Sequence, residues 1–153
     1  MANYTLRWDQ ALPVAKRFVV MAAFNNEAVL DKNTGLVWEK SPTTTTNAWV
    51  GACHDCLNKI IGGQKGWRLP SIPELASLVD PSVASPGPTL PLGHPFLNVQ
   101  PNIYWSATSV QGFTDQPGLA WIVTFFAGEV TSNTKTDFRH VWCVRGGMNA
   151  DAY

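Results

Sequence analysis

The chain has 153 residues, of which only 14% are charged, with eleven acids balancing eleven bases. Such a composition offers no electrostatic footprint for nucleic acid or an anionic membrane, and the longest apolar run, residues 18–24, is far short of the ~20 residues of a membrane-spanning helix. A single domain of this length buries ~70% of its extended surface, enough to fold without a disulfide scaffold.

Seven Trp, eleven Pro and twelve Gly point to short elements joined by ordered loops. Residues 1–17 form an N-terminal arm, in which Trp8, Leu12 and Val14 could pack on the body or mediate a homo-oligomer. The opening Met-Ala-Asn-Tyr-Thr-Leu-Arg-Trp lacks a basic stretch followed by an apolar one, so no Sec-type signal is visible. The expectation is a cytoplasmic chain, with carriage on a phage particle or non-Sec export as alternatives. Residues 18–24 are strand-like. Residues 28–31 and 36–39 flank Lys32-Asn33-Thr34-Gly35, whose Asn and Gly supply the turn chemistry of a hairpin.

After a threonine run at 43–46, Trp49, Ala52, Cys53, Cys56, Leu57 and Ile60 recur at helical spacing until Gly62-Gly63. A second helix follows, started by Ser71 and Glu74 at the spacing of a capping box with Pro73 in the tolerant first turn; Leu75, Leu78 and Val79 make its buried stripe, and Arg68 is an ion-pair partner for Glu74. Six prolines between 81 and 101 exclude helix and central strand, leaving a long structured loop. The rest is β: Asn-Ile-Tyr-Trp-Ser-Ala-Thr-Ser from 102, a pair of strands from 119 with Gly128 near the turn, and a last strand from Arg139.

Cys53-His54-Asp55-Cys56 has redox and metal readings. Redox catalysis wants a thiolate exposed at a helix N-terminus, whereas this pair sits inside the helix on its apolar side. His140 and Cys143 would complete a zinc set with the two cysteines, but positions three apart in a strand face opposite ways. The simpler reading is buried thiols, mostly reduced, with no metal or cofactor. A Cys56–Cys143 bridge would contribute about 4–5 kcal/mol, and only in an oxidising compartment. His54, His94 and His140 lie on a helix, in a loop and on a strand, so no catalytic residues are expected.

In order, TGLVWEK, AWVGACHDCLNKIIGGQKGWRLPSIPELASLVD, YWSATS, AWIVTFFAGEV and VWCVRGG resemble the bacterial Lcl C-terminal domain family over residues 18–147, leaving 148–153 as a tail. The resemblance implies an α+β, C-type-lectin-like fold: two helices packed on a twisted antiparallel sheet, with long ordered loops carrying ligand contacts. Cys56 and Cys143 match the family's recurring cysteines and Cys53 is extra; Trp142 stands where the family more often has Arg, so no role for it is implied. Related folds serve as glycan-binding adhesins, as variable proteins of diversity-generating retroelements and as the formylglycine-generating enzyme. The enzyme's reactive cysteine pair has no clear counterpart here. Calcium-dependent sugar binding lacks its motifs, since Gln100-Pro101-Asn102 supplies no carboxylate. The implied function is a non-enzymatic module that contacts a protein or glycan through loops and strands of its C-terminal half, most similar among these to the retroelement variable proteins; the alternative is an enzyme on the related scaffold.

Strand alternation nominates the contact surface. With Ile103, Trp105 and Ala107 as an apolar set, Tyr104, Ser106 and Thr108 occupy the other face; with Val141 and Cys143 toward the helix, His140 and Trp142 turn outward. Aromatics beside small hydroxyls suit recognition, the alternative being that the Pro-rich loop buries Tyr104 and Trp142. The flanking polar segments add Gln111, Phe113, Asp115, Asn133, Asp137 and Arg139. The expected core includes Trp67, Leu69, Trp105 and Trp121.

Overall fold

The computed structural model describes residues 12–112 and 118–147, so Trp8, Phe113, Asp115 and the 148–153 tail lie outside the described residues. Helix α1 (Val14–Arg17) leads directly into β1 (Phe18–Val20), where the expected longer strand stops. The chain turns there: residues 22–24 make a 3-10 turn, and Asn25 and Asn26 take φ of 53° and 61°, a left-handed conformation that asparagine tolerates better than most residues. β2 (Ala28–Asp31) and β3 (Val37–Glu39) form the expected hairpin. Gly35, at φ 78°, closes it by donating its N–H to the Asp31 carbonyl at 2.7 Å. Beyond the hairpin, β9 (Val144–Arg145) completes a four-stranded antiparallel sheet in the order β1-β2-β3-β9. The arm is tied to this sheet by Arg17, whose guanidinium holds both oxygens of buried Asp31 at 2.9 and 2.8 Å.

A five-stranded sheet holds β4 (Thr46–Asn47), β8 (Arg139–His140), β5 (Ile103–Ser109), β6 (Leu119–Thr124) and β7 (Glu129–Thr134), in that order. Its β5 and β8 run parallel and its other pairs antiparallel. One antiparallel sheet is therefore corrected to two sheets, the second of them mixed. The cause lies in residues 139–145, expected as a single strand, which give β8 to one sheet and β9 to the other. Between them Val141, Trp142 and Cys143 cross from sheet to sheet fully covered.

Helix α2 (Trp49–Leu57) ends a turn short of Ile60, which is 61% exposed. Helix α3 (Ile72–Ala76) starts with the expected capping box, the Ser71 N–H donating to Glu74 at 2.7 Å and the Glu74 N–H to the Ser71 hydroxyl at 3.4 Å. Such a cap stabilises a helix by about 1 kcal/mol. Arg68 makes two bonds of 2.8 Å to the Glu74 carboxylate. Burial pushes that carboxyl up, but Arg68 and the Ser71 N–H together hold it below its usual value.

The helices cover opposite faces of β5. Tyr104 packs in one core with Leu75 and Leu78, while Trp105, the next residue, packs in a second core with Ala52 and Cys56 of α2; consecutive strand residues point to opposite faces. The Pro-rich stretch contains neither helix nor strand, as expected, and delivers Leu90 and Phe96 into the first core. Trp67, Leu69 and Trp105 are buried as expected, whereas Trp121 is only half-buried. The expectation of mostly reduced thiols is corrected too: Cys56 and Cys143 are joined in a disulfide that ties α2 to the crossing segment, leaving Cys53 free.

Candidate ligand-binding face

Four residues expected on a displayed surface are inside. Tyr104, Ser106 and Trp142 are 0% exposed and His140 is 7% exposed. Alternation places them on the expected side, but that side is the first core rather than solvent. Trp142 packs edge-on against Trp38 and Phe96, with centroids 5.4 and 4.9 Å away, and donates its indole N–H to the Glu39 carbonyl at 2.8 Å. Tyr104 stacks on His140 at 5.2 Å, and its hydroxyl accepts the Gln100 N–H at 2.8 Å. Burial pushes the Tyr104 phenol up to about 12 and holds the His140 imidazole below its ordinary value. Ser106 donates to the Trp121 carbonyl at 2.7 Å. A register shift between Trp105 and Ser109 ends the alternation, which leaves Ala107 exposed instead of in the apolar set. Thr108 is half-buried, its hydroxyl accepting the Ile72 N–H at 2.9 Å at the start of α3.

The outer end of the same sheet differs. In β7 and the residue after it, Glu129, Thr131, Asn133 and Lys135 share one face, which α2 meets at its first residue, Trp49, whose backbone N–H donates to the Lys135 carbonyl at 3.0 Å: Glu129 and Thr131 are exposed, Asn133 and Lys135 half-buried. Arg139 donates from Nε to Asn133 Oδ1 at 2.6 Å and approaches Asp137 at 3.5 Å. Lys135 donates to the Ser109 hydroxyl at 2.8 Å while its ammonium lies 4.0 Å from the centre of the Trp49 ring. Trp49 is pinned by its indole N–H to the Ser106 carbonyl at 2.9 Å. Beside them Phe138 is 61% exposed. Of the expected site residues, Asn133, Asp137 and Arg139 thus come together. Gln111 is exposed on a separate turn.

A family model described as the Lcl C-terminal domain matches residues 27–145. The chain belongs to that family. None of the curated proteins matches it.

Trp49, Ser109 and Lys135 belong to this face of the Lcl C-terminal domain and were not among the expected residues. Alternation through Glu-Val-Thr-Ser-Asn-Thr-Lys does carry the signal for Lys135, because a strand without a large apolar residue other than Val130 has no deep core to fill. Ser109 needs the β5 register shift, and Trp49 looks like any apolar residue of a helix face.

Cys53 sits nearby, its thiol pushed up by burial against the pull of Lys135. Elsewhere a cleft of about 310 Å³ opens over Glu39, bordered by Glu27, Ile60 and Leu97. There burial pushes the Glu39 carboxyl up, although it accepts a 2.5 Å bond from Lys59. Among the described residues no group of three or more His, Cys, Asp or Glu side chains is arranged to hold a metal ion.

Proposed function

We propose that this Lcl C-terminal domain is a non-enzymatic binding module of C-type-lectin-like fold, which contacts a protein or glycan through the outer face of β7 and the turn into β8. The observation that carries the reading is the Asn133, Lys135, Arg139 and Trp49 cluster: amide, cations and an aromatic ring held by hydrogen bonds on an open sheet face. Such groups recognise acceptor-rich ligands with little ordering cost, because their geometry is already set. At the end of this face away from Glu129, Lys135 and Arg139 stand beside one carboxylate, Asp137, which favours a ligand bearing an acidic or strongly accepting group there. The α+β build, with two helices on opposite faces of a sheet, supports the lectin-like assignment. The Cys56–Cys143 bridge supports an oxidising working environment.

The non-enzymatic part rests on how the titratable groups are spread. His54 is exposed on α2, His94 stacks on Phe96 in the Pro-rich loop and His140 is sealed against Tyr104, so the imidazoles do not converge on one cleft. A variable protein of a diversity-generating retroelement is the biological role this display geometry suits best, with substitutions concentrated at the outer end and the inner half constant. The test is a screen of the chain against immobilised acidic and neutral glycans and candidate proteins, followed by hydrogen exchange with the hit bound. Protection gained at residues 131–139 supports the reading; protection confined to the Glu39 cleft overturns it. A reverse transcriptase and template repeat beside the gene would support the retroelement role.

A further inference from the structure

We infer that β7 is a dimerisation edge, on which a second copy of this chain pairs antiparallel about a two-fold axis through Ser132. Strand β7 closes one end of the five-stranded sheet, and its outer edge is unpaired among the described residues. Exposed edges are usually blunted by shortness, charge, proline or a bulge. The strands at other sheet ends are short, β4 with two residues and β1 with three. β7 is long, with six residues, no proline and an unbroken register with β6 from Leu119↔Thr134 to Thr124↔Glu129, and its flanking charges, Glu129 and Lys135, are of opposite sign.

The pairing register follows from which backbone groups face outward. Lys135 donates its N–H to the Gly118 carbonyl, so residues 129, 131 and 133 also direct their backbone groups to β6. Val130, Ser132 and Thr134 direct theirs to the open edge. Centring the axis on Ser132 sets Ser132 opposite itself and Val130 opposite Thr134, which uses every outward group in a ladder of about six bonds. The Thr134 carbonyl already accepts the Asp137 N–H at 2.9 Å, and the Ser132 carbonyl on the axis accepts Asn133 Nδ2 at 2.8 Å; the second lone pair of each serves the ladder.

That register also places Glu129 opposite Lys135, both on the outer face, at each end of the ladder. Opposite charges directly across an antiparallel pair attract, and the ammonium has donors beyond the one given to Ser109. Charge and hydrogen bonding thus select the same axis, and they select a second copy rather than a different strand, since the complementarity is of β7 with itself. The closed two-fold leaves no free β7 edge. It also puts both ligand faces on the same side of a continuous ten-stranded sheet, although the pairing does not depend on what those faces bind.

The test is sedentimation equilibrium of the full chain over a range of concentrations, with cysteine cross-linking to fix the register. The mass is expected to rise from one chain toward two; a single-chain mass at millimolar concentration would overturn the inference. In a Cys53→Ser background, Ser132→Cys is expected to form a covalent dimer on mild oxidation, because opposed residues of an antiparallel pair lie within disulfide reach. Val130→Cys is not, its two copies being offset by four residues, roughly 13 Å. The reverse pattern would overturn the register. Ser132→Pro removes an outward N–H that β6 does not use and should abolish the dimer with the melting curve kept. Should that variant not fold, Glu129→Lys, on an exposed position, is expected to raise the dimer dissociation constant at least several-fold. A dimer unchanged by Glu129→Lys and by any folded Ser132→Pro variant would place the interface elsewhere.

Discussion

The inner and outer halves of the five-stranded sheet are built from similar residue types and sit in opposite surroundings. At the inner end, Tyr104, Ser106, His140 and Trp142 have covers on both sides: α2 on one, α3 and the Pro-rich loop on the other. Around β7 and the turn into β8, Ser109, Asn133, Lys135 and Arg139 are only half-buried, with the Trp49 ring of α2 lying over Lys135, and they spend hydrogen-bonding capacity on one another. An aromatic or a hydroxyl in a strand is therefore open surface or core according to what lies above it. Its identity and its alternation do not decide.

Substitutions in the inner half should have the largest effects. Replacing both Cys56 and Cys143 by Ala removes a cross-link closing a loop of 87 residues, and in the chain-entropy account costs about 4–5 kcal/mol. Denaturant midpoints would show it. Trp142→Ala empties a site packed by Trp38, Phe96 and Phe125 and orphans the Glu39 carbonyl, so a loss of about 3–5 kcal/mol is expected by the same measurement. If Trp142→Ala were as stable as the parent, the inner half would not be core.

Acid should act through the inner half as well. Burial lowers the pKa of His140, whose Nδ1 has no hydrogen-bond partner among the described residues, and of His94. A base with a depressed folded pKa is protonated more readily in the unfolded chain. Stability is thus full above the ordinary imidazole value of 6.5 and falls as pH drops through the lower folded values. Melting temperature against pH should decline below about 6.5, less so in His140→Phe and least in the variant with His94 replaced as well. A profile unchanged by both replacements would contradict the buried-imidazole account. The smallest effects on folding belong to the outer half: Asn133→Ala and Arg139→Ala should each shift stability by about 0.5 kcal/mol.

Much of the fold was legible because local rules and tertiary packing agreed. The β2–β3 turn, the Ser71 capping box with its Arg68 partner, the ordered Pro-rich loop of 81–101 and the turn at Gly128 all depend on residues close in sequence. The burial of Trp67, Leu69 and Trp105 followed from size and pattern. What failed depended on distant chain. Nothing within residues 139–145 announces that the strand divides between two sheets, and Trp142 is core because Phe96, nearly fifty positions earlier, lies on it. Asn133, Asp137 and Arg139 were nominated through composition alone, as a loop, where the structure puts Asn133 on β7 and Arg139 on β8; Lys135 was within reach of alternation, while Trp49 and Ser109 needed the fold.

The outer cluster as ligand surface is tested most directly by titrating a hit from the ligand screen against the Asn133→Ala/Lys135→Ala/Arg139→Ala variant, with melting curves beside it. Removing central contacts of an interface commonly costs 2 kcal/mol or more, which is roughly a thirtyfold loss of affinity. The account predicts a loss of at least that size with the melting transition cooperative and little displaced. Affinity equal to the parent's, in a variant that folds as well, would contradict it.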